Sequence, residues 1–215
     1  MTAPSPIGQT KAALDTPALL VDLDIMQANV ARIAELCRRH RVNWRPHIKG
    51  QKTMGVIRAE LSAGAIGVTC AKLGEAEAMA DGGIRNILIA NQIVGPIKIR
   101  RLLDLLERAD PIVAVDSLHN VDELAKAAAA RGKTIGVVIE VDIGMKRAGV
   151  SPGEPVVALA NAIAQRAGIA FRGLVGWESQ AVMIEDPEQK RRAVADAIAL
   201  LTGSAAACRR AGHAV

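Results

Sequence analysis

Lys49 ends the stretch Asn43-Trp44-Arg45-Pro46-His47-Ile48-Lys49, and a Gly50-Gln51 turn follows at once. The stretch reads as a short strand whose last side chain is a primary amine. At the C-terminal end of a barrel strand such an amine can be desolvated, lose its proton near neutral pH and attack a carbonyl carbon to form a Schiff base. Taken alone, it is more simply a solvated strand cap. Its meaning therefore rests on what gathers beside it.

The apolar runs of the chain end in a series of chemically capable residues. In order these are Asp22 and Asp24, His47 and Lys49, Cys70 and Lys72, then Asn91 and Gln92. Asp116 follows, then Asp142 with Arg147 just beyond it, and Trp177 with Glu178. This rim is more polar than packing requires, and its amide, imidazole and guanidinium groups suit a polar ligand. His47 lies two residues from Lys49, on the same side of its strand, where it orients a ligand or makes a structural hydrogen bond. Asn91 and Gln92 are polar wall residues, whereas Cys70 and Lys72 serve packing as much as chemistry. Gly144-Met-Lys-Arg-Ala-Gly149 is not a phosphate loop; its glycines permit a sharp turn that brings Arg147 back over the strand ends. No Gly-x-Ser-x-Gly elbow is present, and the three histidines besides His47 share no spacing suited to a metal.

These ends need a scaffold that puts them on one rim. Strands are expected at Ala18–Leu23, Asn43–Lys49, Gly67–Lys72, Asn86–Asn91, Ile112–Asp116, Gly136–Asp142 and Phe171–Trp177. Several are continuously apolar, as parallel strands covered on both faces should be. Helical patterns alternate with them. Asp24 is placed to cap a helix striped by Met26, Val30, Ile33 and Cys37. Ser151-Pro-Gly-Glu154 and Asp186-Pro-Glu-Gln189 each read as a cap, a proline in the first turn and a capping-box residue. Seven strand-then-helix units without a linker argue for a (β/α)8 barrel. The alternative, a doubly wound open sheet, would want a glycine-rich turn after the first strand, and Leu20-Val-Asp-Leu-Asp24 has no glycine. Residues 1–15 read as an N-terminal arm and 16–215 as an incomplete barrel, stopping where the eighth strand should begin.

Composition excludes several classes. The 215 residues suffice for one sizeable domain, and half are apolar. With one Phe, two Trp and no Tyr, few rings are available to stack on a flat ligand. The net charge of +5 is scattered rather than striped, which argues against nucleic-acid binding. Three separated cysteines point to a reducing compartment, and the polar N-terminus and short apolar runs to a cytoplasmic protein without a membrane span.

Five motifs stand in order: Thr16-Pro-Ala-Leu-Leu-Val-Asp-Leu-Asp24, Arg45-Pro-His-Ile-Lys49, Gly67-Val-Thr-Cys-Ala-Lys-Leu-Gly-Glu-Ala-Glu77, Ile89-Ala-Asn-Gln92 and Glu140-Val-Asp-Ile-Gly-Met-Lys-Arg-Ala-Gly149. Together they resemble the D-threonine aldolase and D-serine dehydratase-like family, pyridoxal-phosphate enzymes of the alanine racemase (fold type III) group. The resemblance implies a TIM-type barrel of the alanine racemase N-terminal kind, here without its eighth strand and C-terminal β-domain. It implies that Lys49 bonds pyridoxal 5'-phosphate and that Arg147 sits by the cofactor's phenolic oxygen. Trp177 stands where many relatives have Tyr, which keeps a flat body and loses a hydroxyl. It further implies a lyase for D-β-hydroxy amino acids, a divalent metal (Mn or Zn) whose ligands lie outside this chain, and a homodimer in the complete enzyme. A non-catalytic pyridoxal-phosphate carrier, an inactive fragment of such an enzyme and an amino-acid racemase are the alternatives.

Overall fold

The computed structural model describes residues 6–215. Helices α1 (Leu23–Arg39) and α2 (Met54–Ser62) lead into β1 (Val68–Cys70), α3 (Leu73–Asp81), β2 (Asn86–Gln92) and α4 (Pro96–Leu105). Then follow β3 (Asp110–Val115), α5 (Leu118–Ala129), β4 (Ile135–Val141), α6 (Glu154–Ala164), β5 (Ile169–Gly176) and α7 (Pro187–Arg210). The five strands form one parallel sheet in the order β1-β2-β3-β4-β5. Each strand pairs with the next in sequence and the order never reverses, which is the winding of a barrel and not of a doubly wound sheet.

Period-2 alternation sets the two faces of this sheet. Val68, Cys70, Ile87, Ile89, Val113, Val115, Val137 and Ile139 are fully buried and belong to the core formed with the helices. Thr69, Leu88, Ala90 and Ala114, one step along the same strands, line a cavity on the inner face. Two irregularities re-aim this alternation. Between β2 and β3 the register advances from Ile89↔Val113 to Gln92↔Ala114, so Ala90 and Asn91 have no paired partner on β3. Between β4 and β5 it advances from Val137↔Phe171 to Ile139↔Leu174, and the buried Gly173, with φ 129°, takes up the extra residue.

The first two expected strands differ from expectation. Residues 18–22 belong to no strand, with Leu19 96% exposed, and the helix begins at Leu23. An apolar run becomes a strand only when a lateral partner takes its backbone groups, and none lies beside this one among the described residues. Residues 43–49 do run along β1: Thr69 N–H donates to Pro46 O at 2.8 Å and Ile48 N–H to Thr69 O at 2.9 Å. Pro46 has no N–H of its own, and the pairing reduces to a single His47↔Thr69 bridge.

Two caps are corrected as well. Asp22, not Asp24, caps α1, its carboxylate accepting from Ile25 N–H at 3.0 Å. At α6 the cap is Gly153, with φ 86°, and Pro155 falls in the first turn; Ser151 lies outside the helix. The Asp186 cap of α7 is as expected, accepting from Gln189 N–H at 2.6 Å. All three cysteines are free, and among the described residues no helix is long and apolar enough to cross a membrane.

One buried polar contact links the helical layer to the rim. The amide of Asn120, in the first turns of α5 and 2% exposed, donates to Ile93 O at 2.8 Å, just past the bulge of β2. Replacing Asn120 with Ala strands that carbonyl in a buried position, at a cost of about 1–3 kcal/mol. Urea unfolding of N120A should show this loss with an unchanged slope; an unaltered midpoint would refute it.

Candidate active site

A cavity of about 600 Å3 opens on the inner face at the strand ends. Lys49, His47, Asn91, Gln92, Arg147 and Trp177, which are far apart in sequence, all line it. The Lys49 amine sits over the indole of Trp177, 5.1 Å from the ring centroid. Among the described residues neither Lys49 nor Arg147 holds an ion pair.

The other rim groups are committed elsewhere. The Asn91 amide donates to Ala71 O at 3.0 Å, and its own oxygen accepts from Gln92 N–H at 3.0 Å. The Gln92 amide donates to the Glu140 carboxylate at 2.6 Å. His47 Nδ1 accepts from Lys49 N–H at 3.3 Å. Desolvation, helped by the nearby Lys49 charge, lowers the His47 pKa, so the ring is neutral at neutral pH. Cys70 is fully buried on the helix-facing side, where desolvation and then Glu75 push its thiol to about 12. It is a packing group.

The aspartates at the strand ends serve the backbone. Asp142 accepts from Gly144 N–H at 3.0 Å and Lys146 N–H at 2.9 Å, and Asp116 from Gly149 N–H at 3.1 Å. The chain then returns, Val150 N–H donating to Glu140 O at 2.8 Å. These bonds fold residues 143–149 into a loop that delivers Arg147 to the cavity. Gly149, at φ 102°, is required there, because a Cβ would lie 2.6 Å from Asp142 N.

Three polar lining residues escaped the strand-end list. Thr69 and Glu140 sit within strands and point inward, and Arg45 lies deeper, donating to Asn86 Oδ1 at 2.7 Å. An ionisable residue inside an apolar strand, as Glu140 is in Ile135–Val141, was the available signal. Arg45, Lys49 and Arg147 face one carboxylate, Glu140, so the lining is net cationic and favours an anionic ligand.

Residues 21–214 match the model of the family described as alanine racemase, N-terminal domain. The chain belongs to this family. Its structure superposes on that of D-threonine aldolase from Filomicrobium marinum with a TM-score of 0.95 and 38% identity, over 99% of this chain and 58% of that one. It is 33% identical to a D-threonine aldolase from Arthrobacter sp, over 98% of this chain and 56% of the relative. It is 34% identical to a 3-hydroxy-D-aspartate aldolase from Paracoccus denitrificans (strain Pd 1222), over 88% and 49%. This alanine racemase N-terminal domain thus spans about half the length of the curated relatives it matches.

The Arg147 loop should respond to acid. The hydrogen bond from Lys146 N–H, joined by those from Gly144 and Met145 N–H, outweighs desolvation and holds Asp142 below the ordinary aspartate value of 3.8. A depressed folded-state pKa stabilises the loop fully above 3.8, and that contribution is lost as pH falls through the lower folded value. Amide shifts of Gly144 and Lys146 should titrate together below the usual aspartate range, and D142N should abolish the transition. Titration at the ordinary value would refute the anchor.

Proposed function

We propose that this domain is the cofactor-holding half of a pyridoxal-phosphate-dependent lyase acting on D-β-hydroxy amino acids, cleaving Cα–Cβ in the aldol sense. The observation that carries the reading is the convergence of Lys49, Arg147 and Trp177 on one net cationic cavity, with the amine over the indole face. The names of the two curated relatives, both aldolases of D-configured β-hydroxy amino acids, support the substrate class.

The residues present fit the implied cofactor. A primary amine is the group that condenses with its aldehyde, a guanidinium suits its phenolic oxygen, and a cationic lining suits its phosphate. When bound, pyridoxal phosphate supplies an electron sink for the pair left at Cα when a bond there breaks. The chain's own residues then have separable tasks. Lys49 would hold the cofactor through its amine, which projects into the cavity. Arg147 supplies a fixed cation from a loop anchored by Asp142 and Asp116. Trp177, 42% exposed, gives a flat apolar wall without a hydroxyl, so proton transfer at that position falls to another group. His47, neutral at neutral pH, can accept a proton beside Lys49. Gln92 and Asn91 complete the polar wall through the bonds they already make. No group of three or more His, Cys, Asp or Glu side chains among the described residues is placed to hold a metal.

The test is direct. The purified chain mixed with pyridoxal phosphate should develop a visible absorption band, and borohydride should fix the pyridoxyl group on Lys49. K49A should do neither; an undiminished band in K49A would overturn the assignment. D-Threonine with added Mn2+ or Zn2+ should release glycine and acetaldehyde where the whole enzyme is supplied. Ammonia and a keto acid from D-serine would point to dehydration instead, and binding without turnover to a carrier.

A further inference from the structure

The motif Gly67–Glu77 contributes Thr69 and Ala71 to the cavity lining, and its carboxylate at Glu75 reaches the segment that carries Lys49. Lys49 lies in the turn that leaves the β1-paired stretch. That turn is closed by Lys52 N–H donating to Ile48 O at 2.9 Å, with Ile48 fully buried. Lys52 holds φ 49°, in the left-handed region that a side-chain-bearing residue avoids unless something fixes it. A carboxylate from α3 supplies that fixing contact. The Lys52 ammonium is paired with Glu75 Oε1, and Glu75 Oε2 accepts from Ala71 N–H at 2.8 Å.

Glu75 is the third residue of α3 and its side chain is 11% exposed. Lys72, the residue at the cap position, gives no side-chain cap, so Glu75 closes the helix in the manner of a capping-box glutamate. That accounts for one carboxylate oxygen. The other oxygen crosses to a different segment, and helix capping does not require it. Burial alone would raise the Glu75 pKa, but the hydrogen bonds from Lys52, Ala71 and Lys72 outweigh it and hold the carboxyl below its ordinary value. The charge needed for the pair is therefore present at neutral pH. A second link, from the Gln51 amide to Glu60 at 3.4–3.5 Å, is long and engages a carboxyl whose pKa burial raises, so it is the weaker tie.

We propose that Glu75, through Lys52, is the positioning residue for Lys49: it pins the turn that aims the amine into the cavity. The proposal rests on the reading of Lys49 as the cofactor-bonding lysine and adds how that lysine is held. Glu75 touches neither substrate nor cofactor; it acts by fixing the backbone three residues beyond the amine. Its neighbour Glu77 supplies an internal comparison, since its carboxylate pairs with Arg101 on α4 and not with the turn.

The experiment compares E75Q, K52M, K52R and E77Q in the cofactor-free 215-residue chain and with pyridoxal phosphate. Hydrogen exchange read by mass spectrometry on peptides covering 47–54 reports the turn without any cofactor. E75Q and K52M should each lower protection there about tenfold, and the double variant should be no worse than the worse single, as coupled residues behave. K52R, which can keep the pair, and E77Q should stay near the unaltered chain. Borohydride-trapped labelling of Lys49, mapped to the peptide, should slow by a similar factor in E75Q and K52M while thermal midpoints of E75Q and E77Q remain close. Unchanged exchange over 47–54 in K52M would overturn the proposal whatever the cofactor does, as would additive losses in the double variant. If the turn loosens as expected but Lys49 of the unaltered chain takes no label, the tie stands and the cofactor reading falls.

Discussion

Successive parallel pairing is the constraint on which this molecule depends. Because each of β1 to β5 hydrogen-bonds to the strand next in sequence, all run the same way and their C-terminal ends share one rim. The crossover helices then lie on the outer face, where fully buried Val, Ile and Leu side chains meet them. The inner face is left to small and polar residues, with Ala90, Ala114 and Thr69 making room where Lys49, Gln92 and Arg147 project. A reversal of strand order anywhere would have sent half of these residues to the opposite side of the sheet.

The helical layer is registered by charge. Glu77 pairs with Arg101, Asp81 with Arg108, Asp104 with Arg131 and Glu107 with Lys133, each pair separated by 24 to 27 residues, about one strand-helix unit. Arg166 with Asp122 continues the series across α5 and α6. Most partners are well exposed, so each pair contributes little stability. Repeated at the same interval, however, they favour one angular setting of each unit against the next. Inside the sheet, β3 separates β2 from β4, and Gln92 reaches across it to Glu140.

The sequence carried the later part of this fold more fully than the first. The runs at 86–91, 112–116 and 136–142 are apolar and each pairs with a strand on either side, but helices cover only one face of them and the other lines the cavity. The run at 18–23 has the same composition, yet its backbone groups find no lateral partner, and periodicity carries no information about partners. The helix starts were misplaced by two residues at α1 and at α6 because Asp22 and Asp24 are chemically equivalent caps, and because Gly153 can adopt the φ 86° that Ser151 would resist. At the site, Lys49 and Arg147 were legible as strand-end cations. Glu140 and Arg45 were not, since finding them needed the inward phase of a strand, which the bulges shift.

Cys70 has a consequence for chemical selectivity. A thiolate adds to an aldehyde as readily as an amine does, and one beside Lys49 would compete for any carbonyl entering the cavity. This sulfur lies a residue away from the cavity-lining Thr69 and Ala71, but alternation turns it into the helical layer, and burial keeps it protonated far above neutrality. The strand thus places a soft nucleophile next to the cavity and renders it silent, by nothing more than the pleat.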